Sequence, residues 1–578
     1  MKGETKKKQK FVYCSGRSVI IRDLANPLLC DQYTEHSNTA TVAAFSPSSF
    51  YIASGDEAGN VRIWDTINSE HVLKLKLEAL SGPVYDIAWS QDSQRLVVGG
   101  EGREAFGQVY LVDSGSTAGT IDGHGKTIIS VDFRPTRPFR VVTASEDTQV
   151  NFFAGPPFKF SHAIKKHTKF VNCVRYDSKG TLFASVGSDM NIFLFEGKDG
   201  QPVKDIEQGH KGSIWSLSWG DEGTQFMTSS ADKTVKIWDV ETCKEVTSFN
   251  FSSLGFNGQQ MGTLWMGGWA LSLGLDGNIN YLDPRSGKVT QTIFGHNKNI
   301  KAIKKNKNKI YSGDYEGNLR VWEYDYGSLS TDNLNKKPHE NQIAGIESFV
   351  ENSLHTLGWD DKIVQIDTNT GETISETPLD SQPIGFTLLK EEGILTLLQD
   401  SSIAVVKDGK VVTKIPVTGT PTCIDVNHET ENLAIGFSDS TVRVFSICEN
   451  ALELIYEIGA GEHKGEITDI KFSPSGKYIA SCDAQRQICV WKEKELVASG
   501  WCFHSSRVTC LAWSSDEIHL ASGSTDGHVI VWNVNSPLKR IKIANAHLGG
   551  VNSVEWYSVN VLITAGNDFA LKTWSIEF

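Results

Sequence analysis

The chain has 578 residues, 39% of them hydrophobic and 22% charged, with 52 glycines and a formal net charge of −13. That length exceeds one ordinary domain and requires two cores or a closed repeat array, while the acidic balance argues against phosphate-backbone binding and so against nucleic acid as a partner. The lysine-rich start has no apolar h-region and no apolar run approaches the roughly 18 residues of a membrane span, which argues against export and membrane insertion.

In chain order, only ten residues precede the first β-rich run, Phe11 to Cys14, and four of the last five of them are lysine. From there a segment recurs about every 40 to 48 residues, the period of a four-stranded propeller blade. One unit reads Ile214 to Trp219, Thr224 to Ser230 and Thr234 to Asp239, each alternating or β-rich with Gly or Asp at the turns, and a fourth strand follows before the next histidine. The ends of the third strands are marked by Arg22, Trp64, Val112, Phe153, Phe195, Trp238, Leu282, Trp322, Ile366, Val405, Phe445, Trp491, Trp532 and Trp574. Fourteen blades make two rings of seven, because a single ring of fourteen exceeds the usual range of about four to eight. The expected fold is therefore all-β: two tandem seven-bladed β-propellers.

The division follows from the last unit, which stops at Phe578 just past its third strand. An open edge there has to be covered, and Val289 to Phe294 is the expected donor of the outer strand. This places the boundary in the turn Asp283-Pro-Arg-Ser-Gly287 and gives domains 1–285 and 286–578. The same logic predicts that the first blade is incomplete and the first ring weakly closed, unless Lys6 to Lys10 pairs despite its charge.

Fifteen histidines invite a catalytic or metal reading, yet most obey the repeat. The set His36, Asp56, Trp64 recurs as His210, Asp232, Trp238 and as His504, Asp526, Trp532; His296, His463 and His547 head similar sets, and His124 and His167 head variants ending in Phe153 and Phe195. This pattern resembles WD-repeat propellers, in which the histidine, a Ser or Thr, the aspartate and the tryptophan form a structural hydrogen-bonded chain. A hydrolase needs one distinctive set rather than eight similar ones, so no catalytic residue and no metal ligand is assigned. The loose dinucleotide pattern Gly100-Glu-Gly102-Arg-Glu-Ala105 is followed by a strand where a helix is required, so no cofactor is expected. The run Lys304 to Lys309 reads as a solvated turn, Asp360-Asp361 falls on the recurrent second turn, and Asn250-Phe-Ser252 is a chance glycosylation match. The ten cysteines show no CxxC pair and read as reduced core thiols of a cytosolic protein.

The non-repeated segments carry more information. Gly100-Glu-Gly-Arg-Glu-Ala-Phe-Gly107 and Gly155-Pro-Pro-Phe-Lys-Phe160 continuing to His167-Thr-Lys-Phe170, with Tyr33-Thr-Glu-His36 and Val61-Arg-Ile-Trp-Asp65, make the chain resemble the actin-interacting protein 1 family. The resemblance implies a non-catalytic protein of actin-rich structures in the cytoplasm that binds actin filaments together with ADF/cofilin and promotes their disassembly by severing or end capping. It also implies a monomer with an actin/cofilin-binding surface on the first ring at Glu104, Glu146, Lys159, Phe160 and Phe170. Alternation alone puts Phe158 and Phe160 on one face, where both would line the core, whereas the stiff Pro156-Pro157 would suit aromatic anchors. A general WD-repeat scaffold or adaptor is the competing reading.

Overall fold

The structure, a computed structural model, describes the chain outside residues 5–8, 28–29, 69, 104, 324–327, 330–336, 349–351, 390–392 and 449–450. The described residues form fourteen antiparallel sheets, thirteen of four strands and one of three, each built from consecutive strands in simple up-and-down order. They are numbered here as sheets 1 to 14 in chain order, spanning 2–33, 40–78, 84–120, 128–164, 171–206, 214–250, 260–293, 300–329, 343–378, 383–416, 421–458, 467–498, 508–543 and 551–575. The chain divides into two compact units, Met1–Phe294 and Gly295–Phe578, with seven sheets in each. One 3-10 segment, Ser252–Gly258, is the single helical element among the described residues.

Sheet 6 shows why the repeat folds as it does. Ile214–Trp219, Gln225–Ser230, Thr234–Asp239 and Glu245–Asn250 alternate in side-chain character, so each buries residues towards one neighbouring sheet or the other. Trp219, Phe226 and Trp238 pack against Ala184, Ile192 and Leu194 of sheet 5 in one core cluster. Full burial of such side chains contributes about 1.5–3 kcal/mol each. A register shift between Ile214 and Ser216 recurs at the corresponding place in every sheet but the first, and another between Ile237 and Trp238 recurs in most; both add local twist. Sheets pack side by side along each unit, and the first packs on the seventh: Phe11 and Leu24 share a core with Leu264, Met266 and Leu271, and Ile300 and Ile303 share one with Ile563 and Ala565.

Three expectations are corrected. The first sheet is four-stranded, because Lys2–Gly3 supplies an inner strand that pairs with Phe11 and Val12. Two residues suffice because Gly3 lies against Met266 and the Lys2 ammonium reaches Asp86; of the run Lys6 to Lys10, residues 6–8 lie outside the described residues and Lys10 opens the second strand. Second, Lys288–Ile293 does not complete the last sheet but pairs with Ile279–Asp283 as the outer strand of sheet 7. The turn between them is closed by the Asp283 carbonyl, which accepts the N–H of Gly287, and a four-residue turn costs far less closure entropy than donation across the second unit. The compact units consequently meet at 294/295 rather than at 285/286, and sheet 14 has three strands. Third, Tyr110 rather than Val112 occupies the place of Trp64 in sheet 3, since Tyr110 pairs with Leu96 as Trp64 pairs with Ile52.

Candidate interaction face on the first unit

The histidine sets are structural chains, and nine rather than eight are present among the described residues. In sheet 6 the indole N–H of Trp238 donates to Thr228 Oγ1 at 2.9 Å, the same oxygen lies 2.7 Å from His210 Nε2, and His210 Nδ1 lies 2.9 Å from Asp232. Sheet 2 repeats this with Trp64, Ser54, His36 and Asp56, and sheet 13 with Trp532, Ser522, His504 and Asp526. The ninth, His339 with Thr356 and Asp360, ends in Ile366 and so lacks the aromatic marker that revealed the others. Burial lowers the basicity of His36, His296, His339 and His547, so the neutral ring donates Nδ1–H to the carboxylate and accepts the hydroxyl proton at Nε2. Burial alone would raise the carboxyl groups, but hydrogen bonds from His210 and Thr234 hold Asp232 far below the usual carboxylate range, and His504 does the same for Asp526.

These chains fix the turns of sheets 2, 4 and 5; sheet 3 has none, but its turn is closed by the same backbone hydrogen bond. The residue immediately after the second strand donates its backbone N–H to the carbonyl just before the first strand in sheet after sheet: Glu57 to Thr39, Glu101 to Pro83, Glu146 to Thr127 and Ser188 to Phe170. Glu57, Glu101 and Glu146 therefore occupy equivalent positions on sheets 2, 3 and 4, and among the described residues none forms an ion pair. Between them stands Tyr85, 45% exposed, whose phenol is raised by burial and by the charges of Glu101, Glu146 and Glu57. Phe170, 44% exposed, occupies the acceptor position of sheet 5, with the Lys126 ammonium 5.7 Å over its ring. The structure thus brings Glu146 and Phe170 to one face through Lys126 and Thr127.

Lys159 and Phe160 begin the outer strand Lys159–Ile164 of sheet 4, at the end of the sheet remote from Glu146 along the hairpin. The two phenylalanines that alternation put on one face are separated: Phe158, in the preceding turn, is buried edge-on against Phe133, whereas Phe160 is 45% exposed, its ring edge-on to Phe153 and against Gly123. Glu104 lies outside the described residues; its neighbour Arg103 donates its N–H to Ser81. Sequence reading missed Glu57, Glu101 and Tyr85 as members of the face, although each glutamate directly follows a second strand and could have been found by aligning the repeats.

A second set of charges lines the inner strands of each unit. In the first, Asp86 accepts from Lys2 at 2.5 Å, from Arg175 at 2.9 Å and from the Val131 N–H. In the second, Lys304 pairs with Glu347 at 2.6 Å and Lys471 with Asp425 at 3.3 Å, while burial raises Asp469 to about 6. Opposing charges compensate one another, which accounts for these groups as structural. No helix among the described residues is long and apolar enough to cross a membrane.

Comparison with known proteins adds the relationship. The WD domain, G-beta repeat family matches residues 29–65, 115–153, 158–196, 200–239, 287–323, 455–492 and 497–533. Actin-interacting protein 1 of Drosophila melanogaster is 38% identical over 100% of this chain and 95% of its own length. The 66 kDa stress protein of Physarum polycephalum is 40% identical over 100% and 96%, and actin-interacting protein 1 of Caenorhabditis elegans 36% over 100% and 96%.

Proposed function

The chain belongs to the actin-interacting protein 1 family of WD-repeat proteins, and from that membership we propose that it binds actin filaments decorated with ADF/cofilin and promotes their disassembly. The observation that carries this reading is the presentation of two half-exposed aromatic rings, Phe160 and Phe170, in a relative of actin-interacting proteins that aligns over its whole length. The sheet count and the packing of first on seventh sheet in each unit support two seven-bladed propellers as the scaffold. The action is differential binding: contacts made better with a cofilin-bound filament than with a bare one bias the population towards severed or capped filaments, with no catalysis and no cofactor. Glu57, Glu101 and Glu146 favour a basic partner surface and make the association weaken with salt. The protein acts as a monomer on actin-rich structures of the cytoplasm.

The test is pelleting of actin filaments with and without ADF/cofilin. The wild type is expected to lower pelletable actin only when cofilin is present. Phe160→Ala and Phe170→Ala should each weaken this by about 30-fold in concentration, the consequence of losing an anchor contributing about 2 kcal/mol. Glu146→Ala should act mainly through the association rate. An absence of any cofilin-dependent effect by the wild type would favour the general scaffold instead.

A further inference from the structure

Five sheets carry a lysine or arginine at one position of the third strand, two residues before the aromatic marker: Arg62, Lys236, Arg320, Arg443 and Lys572. Lys236 shows what the position is for. Its ammonium lies 3.1 Å from the carbonyl of Gly209, the residue before His210, 2.7 Å from Glu245 on the outer strand, and 5.5 Å over the Trp238 ring. Lys572 likewise donates to the carbonyl of Ala546, the residue before His547, at 2.7 Å. The slot between the third strand and the entering loop is thus built to hold a cation.

Sheet 4 keeps the slot but has lost the cation. Asn151 stands where Lys236 stands, Gly123 precedes His124 as Gly209 precedes His210, and Phe160 faces Phe153 across the strands where Glu245 faces Trp238. Asn151 is fully buried, and neither its amide nitrogen nor its amide oxygen has a hydrogen-bond partner among the described residues. Such orphaned groups are rare because each forfeits its hydration without return. An asparagine at this position need not be orphaned. In sheet 7 Asn280 donates to Ser272 and accepts from Thr292, its neighbour across the outer strand. Asn151 faces Ala163 there, which has no hydroxyl, and the Thr143 hydroxyl is engaged with His124. The Asn151 amide lies next to Gly123, directly beside the Phe160 ring, which is held only at its edge and is nearly half exposed.

We propose that this slot of sheet 4, between Asn151, Gly123 and Phe160, receives a lysine or arginine side chain of the protein partner, as Lys236 and Lys572 fill the corresponding slots of their own sheets. The incoming cation donates to the Asn151 amide oxygen and to the loop carbonyl, while Phe160 swings outward and lays its face on the cation. The proposal rests on the reading of Phe160 as part of the partner-binding surface and supplies what that surface recognises there.

The decisive variant is Asn151→Lys, which fills the slot from within using the residue of sheets 6 and 14. It is expected to melt at or above the wild-type temperature and to need at least 10-fold more protein for cofilin-dependent disassembly; Asn151→Ala should lose activity to a similar degree. A site-specific probe separates the slot from the identity of the partner: 4-fluorophenylalanine at position 160, observed by fluorine NMR during titration with arginine amide, with glycinamide as control. A saturable shift with arginine amide alone, abolished in the Asn151→Lys background, supports the slot. An Asn151→Lys protein that melts well below wild type, that retains full filament activity, or a fluorine signal indifferent to arginine amide, would each overturn it. If the wild type has no effect on cofilin-decorated filaments, the actin reading fails and the slot stands or falls on the fluorine result alone.

Discussion

Replacing Thr228 with valine isolates what the hydroxyl at the centre of a histidine chain contributes, because the two side chains have nearly the same shape. Thr228 is fully buried; its oxygen accepts the Trp238 indole N–H at 2.9 Å and lies 2.7 Å from His210 Nε2. Thr228→Val leaves both nitrogens buried without a partner, at about 1–3 kcal/mol for each, so the expected loss is about 2–6 kcal/mol. Thr228→Ser keeps the hydroxyl and removes one methyl group, costing about 1 kcal/mol. For a unit of this size 1 kcal/mol corresponds to about 2 °C, so the valine variant should melt roughly 4–12 °C lower and the serine variant about 2 °C lower. Differential scanning calorimetry, with the first and second units resolved as separate transitions or not, reads the difference between the two variants directly. If valine and serine melt within a degree of each other, the chain is not the element holding sheet 6 to its turns.

Acidification should destabilise the second unit through its buried histidines. Burial lowers His355 to about 4 against about 6.5 in an unfolded chain, so its contribution is complete above pH 6.5 and is lost as pH falls through 4; at pH 5 about 2 kcal/mol has gone, and His355→Leu should shrink the drop in melting temperature between pH 7.5 and 5. Gly317 has φ of +84° and a Cβ there would meet the His339 carbonyl at 2.0 Å, so Gly317→Ala should cost more than 3 kcal/mol and lower the melting temperature of the second unit by several degrees. Lys2→Met leaves Asp86 with Arg175 and should cost about 1 kcal/mol, whereas Arg175→Met leaves Asp86 and Asp132 facing one another with one cation fewer and should cost about 3–5 kcal/mol by denaturant titration.

Much of the site was legible because its parts are repeats or departures from them. The histidine, aspartate and tryptophan spacings announced eight of the nine chains. His339 escaped because its chain ends on Ile366, and a search keyed to aromatic markers cannot see an aliphatic one. The two-residue strand Lys2–Gly3 carries no periodicity at all, so only its contacts with Phe11, Val12 and Met266 reveal it. Phe158 and Phe160 look equivalent by alternation, but Phe158 belongs to the turn and only Phe160 to the strand, so one ring enters the core and the other stays at its edge.

By itself the sequence determined the all-β class, the number of repeats, the internal chemistry of most of them and the family, because these depend on local alternation, turn residues and fixed spacings within about 48 residues. The tertiary structure alone decided which strand completes which sheet, since Lys288–Ile293 could pair forward or back and loop closure favoured the adjacent hairpin. It alone set Tyr85 among the three glutamates, and it alone left Asn151 buried without a hydrogen-bond partner among the described residues. Those last facts depend on what stands across a neighbouring strand or sheet, and contacts of that kind have no signature in any single stretch of chain.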